Sequence, residues 1–582
     1  MLLCKFNELF YSKKYDECIK FLEDEKKNNQ NDQNEINYYI SKVYYQLALL
    51  SDENEKKSFF DKIEKLLQNN TYDKSKKLLA LVYNEESSYD KAIEIYNEII
   101  NNGNDKDYKY HVYKANALHN KYNNNNDDLN KIIYDYKRAM NSDSEDIYTN
   151  AFIGYCNVII SKCICEKEIN SFFDIFEDTK ILDKYSNIIN INFIVHNIIF
   201  YLDKVNDKFD NSFTNIIDKI CNLDIIWEKE EYFNYIVKPD VNNIYEYKKL
   251  WILQYIMLDL LSVRKKGNID KLCTYISIDV FMKLYKENKS KLKMFSVSRV
   301  NDYREGKIIN DILYKKEINI NYDEMENNFG VKKKNISFAA LQTSFTRVRD
   351  SLTMFRLYGK NTKYSKDDKN EGTGVCLVFN KNFFDVFFKN PSTPISDKKN
   401  NVLPIYSIMY YDHYENKLIF NQTPSNYQAI EIGLNETNNY KWNNDNSLKE
   451  EEKLKNRIGY IFNKIFEIFI KNNTEREKLK ILYKLLINIQ YLIKDAAFVE
   501  EQEMRILQVA EMSDNDVQYD EDSKTLYKDY LNIFDRDALR EVIIGPKVKD
   551  PVSLIEGFQK DLENDIRTPY GLKFTISKAP LA

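Results

Sequence analysis

The sequence predicts an α+β multidomain protein in which an all-α helical-repeat solenoid precedes a mixed α+β domain. Its 582 residues are enough for roughly two to four domains of about 150 residues each. Only 13 Gly and 9 Pro occur, and so few turn-forming residues favour long helices over an all-β protein. Near residue 265 the spacing of apolar residues changes from helical to a mixture of short strands and helices. We therefore expect one domain over 1–265 and a second over 266–582.

The first half repeats a pattern of helix, polar turn and second helix that starts at a Tyr-Asp step. The pattern occurs at 9–22 and at 78–100, where Ala92 and Tyr96 share one helical face, and a third copy covers 113–140. Its spacing resembles that of tetratricopeptide repeats, whose period is about 34 residues, although the Trp-Leu-Gly and Pro positions of that family are absent. Stacked repeats form a solenoid, so we expect a groove for a protein or peptide partner.

Composition narrows the possible partners and locations. A net charge of -5 gives no overall attraction to an anionic membrane or to nucleic acid, although a local basic patch leaves nucleic acid open. There is no long apolar stretch and no basic region followed by an apolar run at the start, so we expect a cytoplasmic protein without membrane association. The eight Cys and four His lack the spacing of a zinc site, so we expect free thiols and no metal.

The second half carries short motifs in a fixed order, interrupted by a helical insertion near 448–493. The motif residues are Tyr275 and Ser277; Asn301, Asp302 and Glu305; Ser344, Phe345 and Thr346; Asp350, Leu352, Met354, Tyr358 and Gly359; Gly374–Phe379; Glu501, Glu503, Arg505 and Ile506; Gly545 and Pro546; Ser577, Lys578 and Pro580. In this order they resemble a bacterial family called domain of unknown function twenty-nine seventy-one. The chain departs from that family at Phe355, where a Trp is usual, and at Tyr303, where a Pro is usual.

Two acids near the end of the motif series are candidates for chemistry. Glu501 and Glu503 alternate with the apolar Met504 and Ile506, so both acids are expected on one face of a strand. The same pattern is also typical of a solvated strand face without function. Likewise Met354 and Phe355 are more typical of a core than of a cofactor site.

The order of a short strand with Tyr, a helix, a Ser-Phe-Thr strand and a late Glu-x-Glu strand is similar to the split-sheet core of ADP-ribosyltransferases. This resemblance implies an NAD site with Glu503 as the catalytic carboxylate, which would hold a ribose hydroxyl and stabilise the oxocarbenium-like charge as nicotinamide leaves. Glu501 would orient or activate the acceptor. Ser344 and Thr346 would line the nicotinamide ribose.

The resemblance also implies residues that contact the rest of the dinucleotide. Tyr358 or Tyr275 would stack on a ring. Thr274 stands where a basic residue or His is common, so other residues must supply the positive charge for the pyrophosphate. The candidates for that charge are Arg299, Arg304, Arg347, Arg349 and Arg356.

The layout as a whole favours a bacterial effector or toxin-like protein, with phage defence as one such role. In this hypothesis the helical-repeat arm senses or docks a partner, and the second domain is a transferase that handles NAD or another nucleotide. Two alternatives stay open: a non-catalytic interaction or nucleotide-sensing protein, and a nucleic-acid-modifying enzyme.

Overall fold

The computed structural model consists of two compact units, Met1–Tyr185 and Ser186–Ala582. The predicted α+β multidomain class is confirmed, since an all-helical region is followed by mixed sheets and helices. Helices give way to strands between Leu261 and Cys273, whereas the compact units divide at residue 185, so the two-domain division at 265 stays a prediction. The residues that the structure describes are 2–11, 14–28, 32–51, 53–102, 108–122, 126–185, 189–205, 209–238, 241–263, 272–286, 291–297, 304–316, 318, 338–358, 371–379, 403–423, 426–431, 440, 442, 448–521, 524–532, 539–563 and 572–579.

In its described residues the first unit consists of helices and the turns that join them. Its α-helices are α1 (Leu2–Tyr11), α2 (Tyr15–Asn28), α3 (Gln33–Leu50), α4 (Glu53–Leu67), α5 (Asp73–Glu85), α6 (Tyr89–Asn102), α7 (Tyr108–Tyr122), α8 (Asn126–Ala139), α9 (Glu145–Glu166), α10 (Asn170–Phe173) and α11 (Thr179–Tyr185). Consecutive helices from α1 to α9 contact each other. Ala92 and Tyr96 are buried on the predicted face of α6. These pairs are consistent with the predicted helical repeats.

The second unit begins with helices that precede the sheets. They are α12 (Ile191–Leu202), α13 (Phe209–Cys221), α14 (Asp224–Trp227), α15 (Glu231–Val237) and α16 (Ile244–Leu261). Trp227 and Trp251 are buried among these helices. Each large ring removed from water stabilises the unit by roughly 1.5–3 kcal/mol.

Strands and further helices alternate in the rest of this unit. The helices are α17 (Ile278–Lys286), α18 (Ile308–Lys315), α19 (Leu352–Tyr358), α20 (Glu450–Lys471), α21 (Arg476–Leu485), α22 (Ile487–Gln490) and α23 (Pro551–Glu563). The strands are β1 (Cys273–Ile276), β2 (Lys291–Ser296), β3 (Phe338–Thr346), β4 (Val375–Phe379), β5 (Ile405–Ser407), β6 (Met409–Asp412), β7 (Lys417–Thr423), β8 (Asn426–Glu431), β9 (Ile493–Asp495), β10 (Glu503–Glu511), β11 (Val517–Asp520), β12 (Thr525–Asn532), β13 (Leu539–Ile544) and β14 (Lys573–Ile576). Helices thus occupy most of the segment 448–493, where the sequence predicts them.

The larger sheet divides at β3. Its order is β11–β12–β2–β3–β1–β4–β13–β14, and β10 also pairs with β3 and with β5. The antiparallel pairing with β10 uses the whole length of β3. On its other edge β3 pairs with β1 at Thr346 and with β2 at Gln342 and Leu341. Two groups of strands therefore start from one strand, as a split sheet requires, while an ADP-ribosyltransferase-like topology stays a prediction.

The two faces of this sheet have different chemistry because side chains alternate along each strand. One face carries the apolar core, in which Phe281 of α17 and Phe558 of α23 pack edge to face with ring centroids 5.1 Å apart. Helix α17 begins after Ser277, whose hydroxyl accepts a hydrogen bond from the Val280 amide at 3.3 Å, as expected of an N-cap. The opposite face carries Glu503 and Arg505 and, beside them, a second apolar cluster in which Met354 and Phe355 of α19 are buried.

A smaller sheet has the order β8–β7–β6–β9. Its strands β6 and β9 are parallel and place Tyr410 beside Lys494. In the part of the chain that the structure describes, no helix is long and apolar enough to cross a bilayer.

Candidate functional site

The pairing of β3 with β10 brings most of the predicted site residues onto the polar face of the larger sheet. Glu503 lies opposite Thr346, and Arg505 lies opposite Ser344. Between them Met504 is buried in the apolar core on the other face. The predicted alternation of acidic and apolar residues is therefore confirmed for Glu503.

Glu501 reaches the same site by another route, and its predicted place in a strand is wrong. It ends a 3₁₀ segment, Ala496–Glu501, and β10 starts only at Glu503. Gln502 between them has a left-handed backbone (φ 43°), which interrupts an extended strand. The Thr346 hydroxyl donates a hydrogen bond to the Glu501 carbonyl at 2.5 Å and fixes this turn.

Lys494 joins the two acids. Its ammonium nitrogen Nζ lies 2.6 Å from Glu501 Oε2 and 3.1 Å from Glu503 Oε2. It comes from β9 of the smaller sheet, whose neighbour Tyr410 accepts a hydrogen bond from the Glu503 amide at 2.7 Å. The site therefore lies where the two sheets of this unit meet.

Arg505 binds the other side of Glu503. Its Nε donates to Glu503 Oε1 at 2.7 Å and its Nη2 to Glu503 Oε2 at 2.8 Å, which is a bidentate pair. Its Nη1 donates to the Glu305 carboxylate and to the Tyr491 carbonyl. The Arg505 side chain is only 1% exposed, so these partners replace the water that a guanidinium would otherwise bind.

The same set of ion pairs sets the charge state of the acids. Burial opposes ionisation of Glu503, but Arg505 and Lys494 outweigh burial and lower the pKa of Glu503 to about 2. Burial raises the pKa of Glu305, with Arg505 opposing the rise and Glu503 adding to it. The pKa values of Glu503 and Glu305 are shifted in opposite directions, as is typical of a base and an acid in one site. Glu503 is therefore the fixed anion, and Glu305 is the acid that more readily holds a proton.

Hydroxyl and amide groups complete the site, which we call the Glu503 cluster: Glu305, Gln342, Ser344, Tyr358, Lys494, Glu501, Glu503 and Arg505. Tyr358 at the end of α19 donates to Glu501 Oε1 at 3.0 Å. Gln342 donates to Glu305 Oε1 at 3.1 Å. A hydrogen bond from Ser344 contributes to the low pKa of Glu503. With three carboxylates and two cations, the cluster carries one excess negative charge when all the acids are ionised.

Tyr275 supports the site from within the fold. Its ring packs edge to face on Phe355 with centroids 4.9 Å apart, and the residue is 7% exposed. Its hydroxyl donates to the Val348 carbonyl and accepts from the Ser351 amide, both at 2.9 Å. These bonds fix the turn between β3 and α19, so Tyr275 has no free face for a ligand ring.

Other motif residues hold the strands together at a distance from the acids. The Asp350 carboxylate accepts hydrogen bonds from the Ser577 hydroxyl and, at 2.8 Å, from the Lys578 amide. Gly545 approaches the turn before β4 so closely that a Cβ there would lie 2.5 Å from the Gly372 carbonyl oxygen. No side chain fits at that distance, which explains a glycine at this position.

Two of the five arginines proposed for the pyrophosphate, Arg304 and Arg347, lie beside the Glu503 cluster, whereas Arg349 binds Glu541 and Arg356 lies 3.9 Å from Glu371. Arg304 contacts Asp311 at 2.8 Å and Asp495 at 3.2 Å, in a separate group of charges. The Arg347 amide donates to the Gln502 carbonyl at 3.3 Å, and burial lowers the pKa of its side chain. Arg299, Asn301, Asp302, Gly359 and Pro580 lie outside the described residues.

Sequence reasoning gave no role to Lys494 or Gln342, and gave Glu305 and Arg505 only as motif residues. Arg505 could have been placed, because it is two residues beyond Glu503 and so shares its strand face. No local pattern indicates Lys494 or Glu305, since they reach the site from other elements. Among the described residues, no group of three or more His, Cys, Asp or Glu is placed to hold a metal ion.

Fold and site together define a mixed α+β domain with a buried cluster of acidic and basic side chains on one sheet face. Residues 354–506 match the family model described as "Protein of unknown function (DUF2971)". The predicted resemblance to this family is thus confirmed for the C-terminal half, over an interval that contains Tyr358, Lys494, Glu501, Glu503 and Arg505. No curated protein matches the chain, and no solved structure does.

Proposed function

We propose that the unit Ser186–Ala582 is a nucleotide-handling enzyme with NAD as the leading substrate. It would break the bond between a ribose and its base and transfer the ribosyl group to an acceptor. The observation that carries this proposal is the ionised Glu503 carboxylate, fixed by Arg505 and Lys494 on a face that also carries the Ser344 and Tyr358 hydroxyls. A fixed anion in a water-poor site stabilises positive charge that develops during a reaction more strongly than it would in water.

The donor and acceptor groups suit a ribose and a cationic base. The ionised Glu503 carboxylate favours a group that becomes positive at ribose C1′, and the Ser344 hydroxyl suits a sugar oxygen. The Thr346 hydroxyl, which the sequence also assigned to the ribose, is instead bound to the Glu501 carbonyl. In such a reaction the bond from C1′ to the base nitrogen breaks, its electron pair stays with the nitrogen, and an acceptor oxygen bonds to C1′ and loses a proton. Glu501, held by Lys494 and Tyr358, orients that acceptor in this proposal.

The residues around the Glu503 cluster offer the pyrophosphate of NAD less positive charge than a dinucleotide site needs. Arg304 is already paired with Asp311 and Asp495, and burial lowers the pKa of Arg347, which disfavours its charged form. Charge complementarity therefore favours the ribose end of the substrate over its phosphates. The experiment below therefore also uses nicotinamide riboside, which has the ribose and base but no phosphates.

The test is the release of nicotinamide from NAD and from nicotinamide riboside by the purified full-length chain. Glu503→Gln keeps the shape but removes the charge, so we expect turnover to fall by on the order of 10²-fold or more. The matched control is Glu511→Gln at the other end of the same strand, which should retain activity. Turnover by a folded Glu503→Gln variant equal to that of the original chain contradicts the catalytic role.

A second variant keeps the proposal testable when Glu503→Gln does not fold. Ser344→Ala removes one hydrogen bond to Glu503 and leaves both of its cations, and we expect about tenfold slower turnover, or roughly 1.4 kcal/mol. Folding is monitored by tryptophan fluorescence, since the three Trp of the chain, Trp227, Trp251 and Trp442, all lie in this unit.

A non-catalytic nucleotide sensor is the second candidate function. The observation that favours it is the saturation of Glu503, whose two oxygens are both engaged by Arg505 and Lys494 and whose side chain is 7% exposed. Such a set of ion pairs also occurs as a purely structural feature. A rise in melting temperature with NAD but no nicotinamide release would favour the sensor, because a ligand that binds only the folded state stabilises it by mass action.

The first unit completes the proposal as a docking arm. Paired helices such as α5 and α6 present a continuous surface when stacked, and surfaces of this kind bind protein or peptide partners. An arm joined to a nucleotide-handling unit is the layout that supports a toxin-like or antiviral effector in bacteria, by analogy of architecture alone.

A further inference from the structure

A cavity on the polar face of the larger sheet lies away from the Glu503 cluster. Its volume is about 260 Å³, and it is lined by Arg349, Val378, Arg540, Glu541, Lys573 and Thr575. Four strand steps separate β10 from β13 in the order β10–β3–β1–β4–β13. At ~4.8 Å for each step, Glu541 is about 19 Å from Glu503 along the sheet. The cavity is therefore a site of its own, and nothing in it rests on the proposed function.

Neighbouring strands aim the lining side chains at one space. The parallel pairing of β13 with β14 sets Glu541 beside Lys573 and Ile543 beside Thr575, so Lys573 and Thr575 share the face of Glu541. Arg540 would normally point to the opposite face. However, the register between β13 and β4 shifts between Leu539 and Glu541, so Arg540 is the extra residue of a β-bulge. A bulge re-aims the side chain it contains, and here Arg540 also lines the cavity.

The one carboxylate in the cavity is fully engaged. Arg349 donates to Glu541 Oε2 at 2.5 Å, and the Thr575 hydroxyl donates to Glu541 Oε1 at 2.7 Å. Glu541 thus fixes the Arg349 guanidinium, which is 43% exposed and keeps other N–H groups for a ligand. Within the described part of the chain, Arg540 and Lys573 take part in no ion pair. Three cations and one carboxylate leave the cavity with a net charge of +2.

We propose that this cavity binds a small phosphate monoester, such as a sugar phosphate. A phosphate monoester carries about -1.5 to -2 at pH 7, which matches the charge of the cavity, whereas a single carboxylate would leave a positive excess. Arginine donates two parallel hydrogen bonds to phosphate and lysine adds a point charge. At ~30 Å³ per water, the space equals about nine waters, which suits a phosphate with one attached sugar.

Binding of ribose 5-phosphate to the full-length chain, measured by isothermal titration calorimetry, tests this site. Inorganic phosphate, sulfate and ribose are the comparison ligands. We expect ribose 5-phosphate to bind more tightly than inorganic phosphate, and ribose to show no binding. The proposal is overturned when ribose 5-phosphate gives no heat of binding. It is also overturned when ribose 5-phosphate, inorganic phosphate and sulfate all bind with the same affinity.

Variants locate the bound group. The double variant Arg540→Gln with Lys573→Gln removes two cations at exposed positions, so we expect the fold to survive and the affinity to fall at least tenfold. Lys549→Gln changes an exposed lysine that follows β13 and does not line the cavity, so it is the matched control and should bind normally. Arg540→Lys keeps the charge without the paired donors and should give an intermediate affinity. Equal affinity in the double variant and the control rules this cavity out.

Discussion

Two carboxylates of the second unit, the buried Glu503 and the half-buried Glu230, differ in charge. Glu503 binds Arg505 and Lys494, and its pKa is about 2. Glu230 accepts hydrogen bonds from the Trp251 indole at 2.9 Å and the Tyr255 hydroxyl at 3.2 Å. Burial raises the pKa of Glu230 to about 7, although these two neutral donors oppose the rise.

The difference shows that the partner, and not burial alone, decides whether a buried acid is ionised. A neutral donor stabilises a carboxylate less than a cation does, because an ion pair in a low-dielectric site adds a full charge interaction. The sheet face therefore holds a permanent anion, whereas the helical region around α16 holds an acid that changes charge near neutral pH. Only the first suits a reaction that needs a fixed negative charge at every working pH.

The largest effect is expected when the cation is removed from Glu503. Arg505→Met keeps much of the side-chain volume but leaves Glu503 without its bidentate partner and Glu305 without its cation. We expect the free energy of unfolding of the second unit to fall by about 3–5 kcal/mol, as is typical when one partner of a buried ion pair is lost. Urea unfolding followed by tryptophan fluorescence measures this, since all three Trp lie in that unit.

Arg540→Met is the matched control for that experiment. Arg540 is exposed, lines the 260 Å³ cavity beside Glu541 and has no ion pair among the described residues, so its loss should change stability by less than about 0.5 kcal/mol. Similar losses in the two variants would mean that the pairs around Arg505 contribute no more than surface contacts.

The parts of this picture that follow from sequence are those that depend on local period. Alternation along β10 correctly separates Glu503 from Met504, and helical spacing correctly buries Ala92 and Tyr96 in α6. The family motifs include Glu305 and Arg505 but predict no role for either residue. Local pattern thus gives strand faces and helix faces.

The rest depends on contacts between residues far apart in the chain. Glu305 and Arg505 are separated by 200 positions, and Lys494 enters the cluster from a different sheet. A left-handed Gln502 and a bulge at Arg540 each redirect a side chain against the simple period of a strand. Such irregular backbone has no clear local pattern, so the position of Glu501 and the cation-lined cavity could not be predicted.

The second largest effect is expected from Glu230→Gln, which should change the pH dependence of the free energy of unfolding by roughly 3 kcal/mol. The unfolded acid titrates near 4.5 and the folded one near 7, so the unfolded state loses its proton first as the pH rises. The stability that the protonated Glu230 contributes is therefore fully present below about pH 4.5. It is lost progressively as the pH rises from about 4.5 to about 7. Gln cannot ionise, so the variant should be more stable than the original chain at pH 8 and nearly equal at pH 4.5.

Chemical denaturation at pH 4.5, 6 and 8 follows this difference. Glu228→Gln, an exposed acid two positions earlier, is the matched control and should leave the pH profile unchanged. An equal gain for Glu230→Gln at all three pH values would mean that the acid is ionised in the fold, and would remove the contrast with Glu503.

The smallest effect concerns the neutral donor in the Glu503 cluster. Tyr358→Phe removes the hydroxyl that donates to Glu501 Oε1 at 3.0 Å and leaves the bond from Lys494 to Oε2 in place. Hydrogen bonds to charged groups contribute about 1.5–3 kcal/mol, so we expect a loss near the lower value because Glu501 keeps its cation. Tyr414→Phe is the control, since Tyr414 is fully exposed and should show no change. A loss as large as that of Arg505→Met would mean that neutral and charged donors are equivalent here, against the difference between Glu503 and Glu230.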